Sequence, residues 1–224
     1  AWYATFHSVS AFNNGGFDLF GGFRSLTGFA GDPVVNLTIA SLFIIGSLGF
    51  LVIYELIVWK EQRTLSLHTR VVLIGSLALL VTGAIMIFSI EYGNTLNKMS
   101  IAEKGIASLF MSATRTAGFS VVDMSQMIVP TQILLIFLMF IGGAPGSTAG
   151  GIKVTTLAVV FAALFSLFKG KNDVEIWGRR LSDNSTQRAL AIMFLSLFLI
   201  LIDIFILSFY HDNFMQVLFE VVSA

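Results

Sequence analysis

The chain has 224 residues, of which 56% are apolar and only 12% charged, and its mean hydropathy is +0.87. Soluble domains run at about 45–50% apolar and about 25% charged, so the composition argues against a soluble enzyme or a disordered segment. Thirteen basic and thirteen acidic residues leave no basic excess for nucleic acid, and the absence of cysteine removes disulfides, thiolate metal sites and cysteine nucleophiles.

In chain order, a short amphipathic stretch leads into Gly15-Gly16-Phe17 and is followed by an apolar run over 34–59 whose one acid is Glu55. Crossing about 30 Å of hydrocarbon takes about 20 apolar residues, so 34–59 predicts a span. Residues 60–70 form a linker carrying Lys60, Arg63 and Arg70, and 71–90 is a second span without a charge. Another short amphipathic stretch leads to Gly118-Phe119. Next comes one long span, 133–168, broken between its apolar ends by Gly142, Gly143, Ala144, Pro145, Gly146, Ser147, Thr148, Ala149, Gly150, Gly151, Ile152 and Lys153. Each Gly costs a helix about 1 kcal/mol and Pro about 3, so no stable helix crosses this stretch. At membrane depth such a break is tolerated where it lines a cavity or is buried in protein. Residues 169–188 carry Lys169, Lys171, Arg179, Arg180 and Arg188, and 189–210 is a further span with Asp203 near its end.

The basic loops 60–70 and 169–188 fall on one side and are expected to be cytoplasmic. Asp18, Asp32, Glu91, Glu103, Asp123, Asp212 and Glu220 fall on the other, where they either concentrate cations or form an ordinary solvated surface.

An internal repeat organises these spans. Residues 6–17 align without a gap on 108–119 at an offset of 102, matching Ser-Ala and then Gly-Phe: Ser10-Ala11 and Gly16-Phe17, against Ser112-Ala113 and Gly118-Phe119. Residues 219–224 read as a third copy as far as Ser223-Ala224, so a glycine is expected six positions beyond Ser223, followed by another span. The unit is span, short re-entrant helix, glycine turn, span. Two crossings per unit keep every copy in the same orientation, unlike the inverted repeats of many secondary transporters. A short helix ending near a central axis turns its negative end toward a cation, and a turn after it can offer a row of backbone carbonyls in place of hydration water. Gly16 and Gly118 suit such a turn because they adopt positive φ freely; the competing role for them is close helix packing.

At these residues the sequence resembles the KtrB/TrkH potassium uptake family (the Trk/Ktr/HKT superfamily), and most of all its Ktr membrane subunits. Ser10-Ala11-Phe12-Asn13-Asn14-Gly15-Gly16-Phe17 is similar to the family's second filter, and Thr114-Arg115-Thr116-Ala117-Gly118-Phe119 to its third. Residues 142–153 resemble its intramembrane gating loop, and Ser66-Leu67-His68-Thr69-Arg70 the linker before the third repeat. The resemblance covers essentially the whole chain. It implies an all-α integral membrane fold, a pseudo-fourfold ion pore built from span–pore helix–filter–span units.

Here those units are 1–59 (second repeat), 60–70 (linker), 71–168 (third repeat), 169–188 (linker) and 189–224 (first span and pore helix of the fourth). The first repeat, the fourth filter and the last span are expected outside this chain. The implied filter residues are Asn14, Gly15 and Gly16 with Thr116, Ala117 and Gly118, holding K+ through their carbonyls. The implied gate comprises Gly142, Gly143, Gly146, Ser147, Thr148, Gly150, Gly151 and Lys153, with Lys153 donating to carbonyls or a carboxylate. Arg115 is expected to point off the axis and pair with an acid. The implied partners are a second copy of the membrane subunit, giving a homodimer, and a cytoplasmic ring of nucleotide-binding regulatory subunits, with no nucleic acid and no covalent cofactor.

Other signals carry less. The stretch ending Gly150-Gly151-Ile152-Lys153 lacks the lysine directly after glycine that a phosphate loop needs. His7, His68 and His211 lie in separate segments and read as helix-end or surface histidines. Asp203 is expected to bond a neighbouring helix in preference to relaying protons. No catalytic triad is present, so the protein is not expected to be an enzyme. The main alternative function is an alternating-access carrier of a small solute that uses the broken span 133–168; a non-conducting structural subunit would explain the spans but not the repeat.

Overall fold

The computed structural model describes residues 1–22, 24–171 and 173–224. The helices are α1 (Trp2–Phe12), α2 (Pro33–Leu48), α3 (Phe50–Gln62), α4 (Leu67–Glu91), α5 (Ile101–Ala113), α6 (Val129–Phe140), α7 (Val154–Phe168), α8 (Asp183–Leu207) and α9 (Phe214–Ser223). Between α7 and α8 a small antiparallel hairpin pairs β1 (Glu175–Ile176) with β2 (Arg179–Arg180). Its turn residues Trp177 and Gly178 both have positive φ, 48° and 75°, the geometry of a tight primed turn.

Helix starts follow local chemistry. Asp32 accepts from the backbone N–H groups of Val34 and Val35 ahead of Pro33, which needs no partner for its own nitrogen. Ser100 and Glu103 form a reciprocal capping box on α5, and Ser66, Ser182 and Asn213 cap α4, α8 and α9. Helices α4 and α8, of 25 residues each, are long and apolar enough to cross a membrane, at about 38 Å of helix. Their most apolar stretches are 17% and 0% buried within the chain, as expected where side chains face lipid or further protein.

The run 34–59 is not the straight span expected from its composition. α2 and α3 meet at 96°. Gly49 between them has φ 80° and ψ 150°, outside the helical region. The last carbonyls of α2 are not left orphaned, as a helix end in lipid would require. Ser47 O accepts from Ala144 N at 2.9 Å, and Gly46 O accepts from Thr148 N at 3.2 Å. Beyond the bend, Phe50 N donates to Gly146 O at 3.2 Å. A β-carbon on Gly49 would lie 2.6 Å from Pro145 O. The two breaks therefore interlock at Gly46-Ser47-Leu48-Gly49 and Gly143-Ala144-Pro145-Gly146, segments of the same Gly-x-x-Gly pattern.

The core joins α1, α2, α4, α5 and α6 through Ala11, Phe43, Ile87, Phe110, Phe119 and Leu135, all essentially inaccessible. Close approach depends on small residues: Gly83 of α4 faces Ser112 of α5, where an added β-carbon would fall 2.4 Å from the hydroxyl. Glu91, at the end of α4, is completely buried and accepts from Asn94 Nδ2, Thr95 Oγ1 and Ile128 N. It ties α4 to the start of α6.

Candidate functional site

The two repeated segments fold back on the ends of their own short helices. After α1, Asn14 N donates to Ala11 O at 3.0 Å and Gly15 N to Ser10 O at 2.8 Å, while Phe17 N donates to Ser10 Oγ at 2.9 Å. After α5 a 3-10 turn (Thr114–Thr116) leads to Ala117, whose N–H reaches Thr114 O at 2.9 Å. Thr114 Oγ1 lies 2.9 Å from Phe119 O and closes the second turn. Ser112, the repeat equivalent of Ser10, instead donates to Leu80 O of α4. The two turns are thus alike in path and closed by different hydroxyls.

Their glycines match. Gly16 has φ 69° and Gly118 has φ 75°. Asn14 is left-handed as well, at φ 52°, a region that Asn tolerates better than most residues. The repeat-equivalent side chains of Asn14 and Thr116 meet: Thr116 Oγ1 donates to Asn14 Oδ1 at 2.9 Å.

A cavity of about 830 Å³ is walled by Asn14, Gly15, Thr116, Ala117 and Gly118 on one side and by Gly150 and Gly151 on the other. The end of α9, Ser223-Ala224, also lines it. A second cavity, of about 970 Å³, has Asp18, Arg24 and Asp123 in its wall. Gly118 borders both cavities. Gly16 borders neither; it is packed against the Ala117 carbonyl.

The break in 133–168 runs between α6 and α7 and doubles back on itself. Gly142 N donates to Ile152 O, Ile152 N to Phe140 O and Val154 N to Gly143 O, at 2.8, 3.0 and 3.0 Å. A β-carbon on Gly142 would lie 1.6 Å from Gly150 O, so only glycine allows this closure. The loop has two working faces. Gly143, Gly146 and Thr148 pack on the bend between α2 and α3, with Ser147 bracing the turn by bonds to Ala144 O and Ala149 N; Gly150 and Gly151 face the first cavity. Lys153 Nζ donates to Ala149 O across the loop's base.

Several expectations are corrected. Arg115 pairs with no acid among the described residues. Its guanidinium donates to Ser112 O and Ile141 O, at 3.3 and 3.4 Å, and the residue lines the cavity of about 830 Å³. His7 is neither at a helix end nor on the surface. It is 5% exposed, stacked with Phe20 and Phe119, with Nδ1 2.6 Å from Tyr3 O. Asp203 is exposed on α8 and makes no hydrogen bond among the described residues. The acids of the outer side are mostly occupied in local structure: Asp32 and Glu103 cap helices and Glu91 is buried. Asp123 accepts from the Ser125 hydroxyl and N–H, which hold its carboxyl below the usual range. Sequence reasoning missed the bend at Gly49, although Gly46-Ser47-Leu48-Gly49 repeats the pattern at Gly143-Ala144-Pro145-Gly146.

Comparison with known proteins identifies relatives over the full length. The family model for the TrkH cation transport protein matches residues 1–224. The chain is 39% identical over 223 residues to the Ktr system potassium uptake protein B of Bacillus subtilis, covering 98% of this chain and 50% of that protein. It is 38% identical to the potassium/sodium uptake protein NtpJ of Enterococcus hirae, covering 92% of this chain and 46% of the relative. The crystal structure of the potassium transporter TrkH from Vibrio parahaemolyticus superposes with a TM-score of 0.76 at 20% identity, over 92% of this chain and 45% of that one. The chain spans about half the length of the curated relatives it matches.

Proposed function

The chain belongs to the TrkH family of cation transport proteins and lies in the cell membrane as a multi-pass helical protein, and on that premise we propose that it supplies the middle of a potassium pore. In this reading K+ sheds its water against the backbone carbonyls of Asn14, Gly15 and Gly16 and of Thr116, Ala117 and Gly118. Carbonyl dipoles are a known replacement for an alkali ion's hydration shell, and the negative ends of α1 and α5 add to the attraction. Below the filter the loop 142–153 obstructs the path. A cytoplasmic nucleotide-binding regulator, acting on a dimer of the full-length protein, shifts the loop and opens the way. The units 1–59, 71–168 and 189–224 are the second repeat, the third repeat and the start of the fourth.

The observation that carries the reading is the convergence of three segments distant in sequence on one cavity: both glycine turns and the loop meet there. The loop's backbone groups bond one another and the α2–α3 bend, which leaves few donors to recognise an organic solute and counts against a carrier built on the same break.

The test is uptake by the full-length protein, together with its cytoplasmic partner, in bacteria lacking potassium uptake. Growth at low potassium and rubidium influx with no organic cosubstrate are expected. Influx that requires an organic solute would replace the pore with a carrier.

A further inference from the structure

The filter turns and the loop share more than a cavity; they are joined by one chain of side-chain hydrogen bonds. Thr116 Oγ1 donates to Asn14 Oδ1 at 2.9 Å. Asn14 Nδ2 donates to Thr148 Oγ1 at 2.8 Å. Thr148 Oγ1 has one proton, and it lies 2.9 Å from Phe12 O and 3.1 Å from Gly46 O. The donors run in one direction, from the second turn through the first to the loop, and such chains polarise and strengthen one another at low dielectric. Asn14 is only 9% exposed, so water is a poor substitute for either partner. Its left-handed backbone stands two residues before Gly16, and Phe12 O, where the chain ends, belongs to the last residue of α1.

We propose that Asn14 is a positioning residue that couples the gate to ion choice: Thr148 of the loop holds Asn14, Asn14 holds Thr116, and displacement of the loop relaxes both filter turns together. The inference rests on the pore reading above and goes beyond it. A loop that only obstructs would change how much ion passes, whereas a loop bonded through Asn14 also changes which ion passes. The coupling is reciprocal, because any free energy linking two sites acts in both directions. A change at Thr116 must therefore alter the closure of the loop.

Asn14 itself is left unaltered in the test, since replacing it would disturb a left-handed backbone and cut both bonds of the chain at once. Thr148→Val keeps the shape and removes the hydroxyl, Thr148→Ser keeps the hydroxyl, and Thr116→Val cuts the far end. Potassium and sodium influx are measured in the full-length protein with and without its cytoplasmic partner. Thr148→Val should lower the potassium-to-sodium influx ratio roughly fivefold, the factor for one ordinary hydrogen bond, while Thr148→Ser retains it. Thr116→Val should lower the ratio similarly and also raise partner-independent influx. The double valine variant should match the singles and not their product.

Raised influx with an unchanged ratio in Thr148→Val would overturn the coupling and leave the gate intact. Multiplying effects in the double variant would overturn it too. If Thr148→Val fails to reach the membrane, Thr116→Val decides: a lowered ratio with an unaltered dependence on the partner contradicts the inference. Failure of the pore reading is distinguishable, because the unmodified protein would then carry no potassium.

Discussion

A β-carbon built on Gly16 would fall 1.4 Å from the carbonyl oxygen of Ala117. The first turn thus presses its glycine against the backbone of the second, and no side chain fits between them. Gly118, its repeat equivalent, has open space around the same position. Both have positive φ.

The two glycines should therefore respond differently to substitution. Gly118→Ser adds only backbone strain, about 1–2 kcal/mol for an L-residue in the left-handed region, and should leave a folded protein with weakened preference for potassium over sodium. Gly16→Ser must push the two turns apart and should lower the amount of protein in the membrane. Ala117→Ser, at a position where the first turn has Gly15, should be milder than either. Immunoblotting of membranes with parallel potassium and sodium influx separates these outcomes; an unchanged ion preference in both glycine variants would assign the glycines to packing and not to the filter.

The bend between α2 and α3 predicts a second route to an open gate. Gly49→Ala places a side chain at φ 80° and 2.6 Å from Pro145 O, so the interlocked loop must shift. Rubidium influx in the absence of the cytoplasmic partner should rise severalfold. Unchanged partner-independent influx in a folded Gly49→Ala protein would show that the loop is not held at this bend.

Lys153 ties the base of the loop by its bond to Ala149 O. A hydrogen bond to a charged group contributes about 1.5–3 kcal/mol, so Lys153→Met should favour the displaced loop by about tenfold or more. The expected reading is higher basal influx with less dependence on the partner. Lower influx in a membrane-inserted variant would contradict the assignment.

Glu91 is fully buried and lines neither cavity, which marks it as a stability determinant. Glu91→Ala removes the acceptor for Asn94, Thr95 and the Ile128 N–H in a fully buried position, and each buried group left unsatisfied costs about 1–3 kcal/mol. The variant should lose several degrees of thermal stability in detergent while its surviving fraction keeps the native ion preference. A native melting temperature would show that water replaces the carboxylate.

The long apolar helices α4 and α8 and the short helices ahead of the two glycine turns were legible in the sequence because each is a local property: apolar length, or an amphipathic stretch closed by Gly-Phe. The broken span at 142–153 was legible too, since five glycines and a proline leave no helix. The bend at Gly49 was hidden because a single glycine inside an apolar run is compatible with a straight helix. What bends it is a partner distant in sequence, Gly146, whose carbonyl takes the Phe50 N–H. The same holds for Asn14: its sequence neighbours mark a turn, but its bonds to Thr116 and Thr148 exist only once three segments meet. The acids looked like a charged surface, yet Glu91 is buried, because charge alone does not reveal which carboxylates serve as caps and struts.

The pore proposed here stands or falls on whether the carbonyls of 14–16 and 116–118 hold the permeating ion. Anomalous diffraction from crystals of the full-length protein soaked in thallium, a heavy stand-in for potassium, tests it most directly. An anomalous peak is expected at coordination distance from the carbonyls of both turns, above Gly150 and Gly151 of the loop. A cavity without a peak at these carbonyls, or a peak held only by side chains elsewhere in the chain, would contradict it.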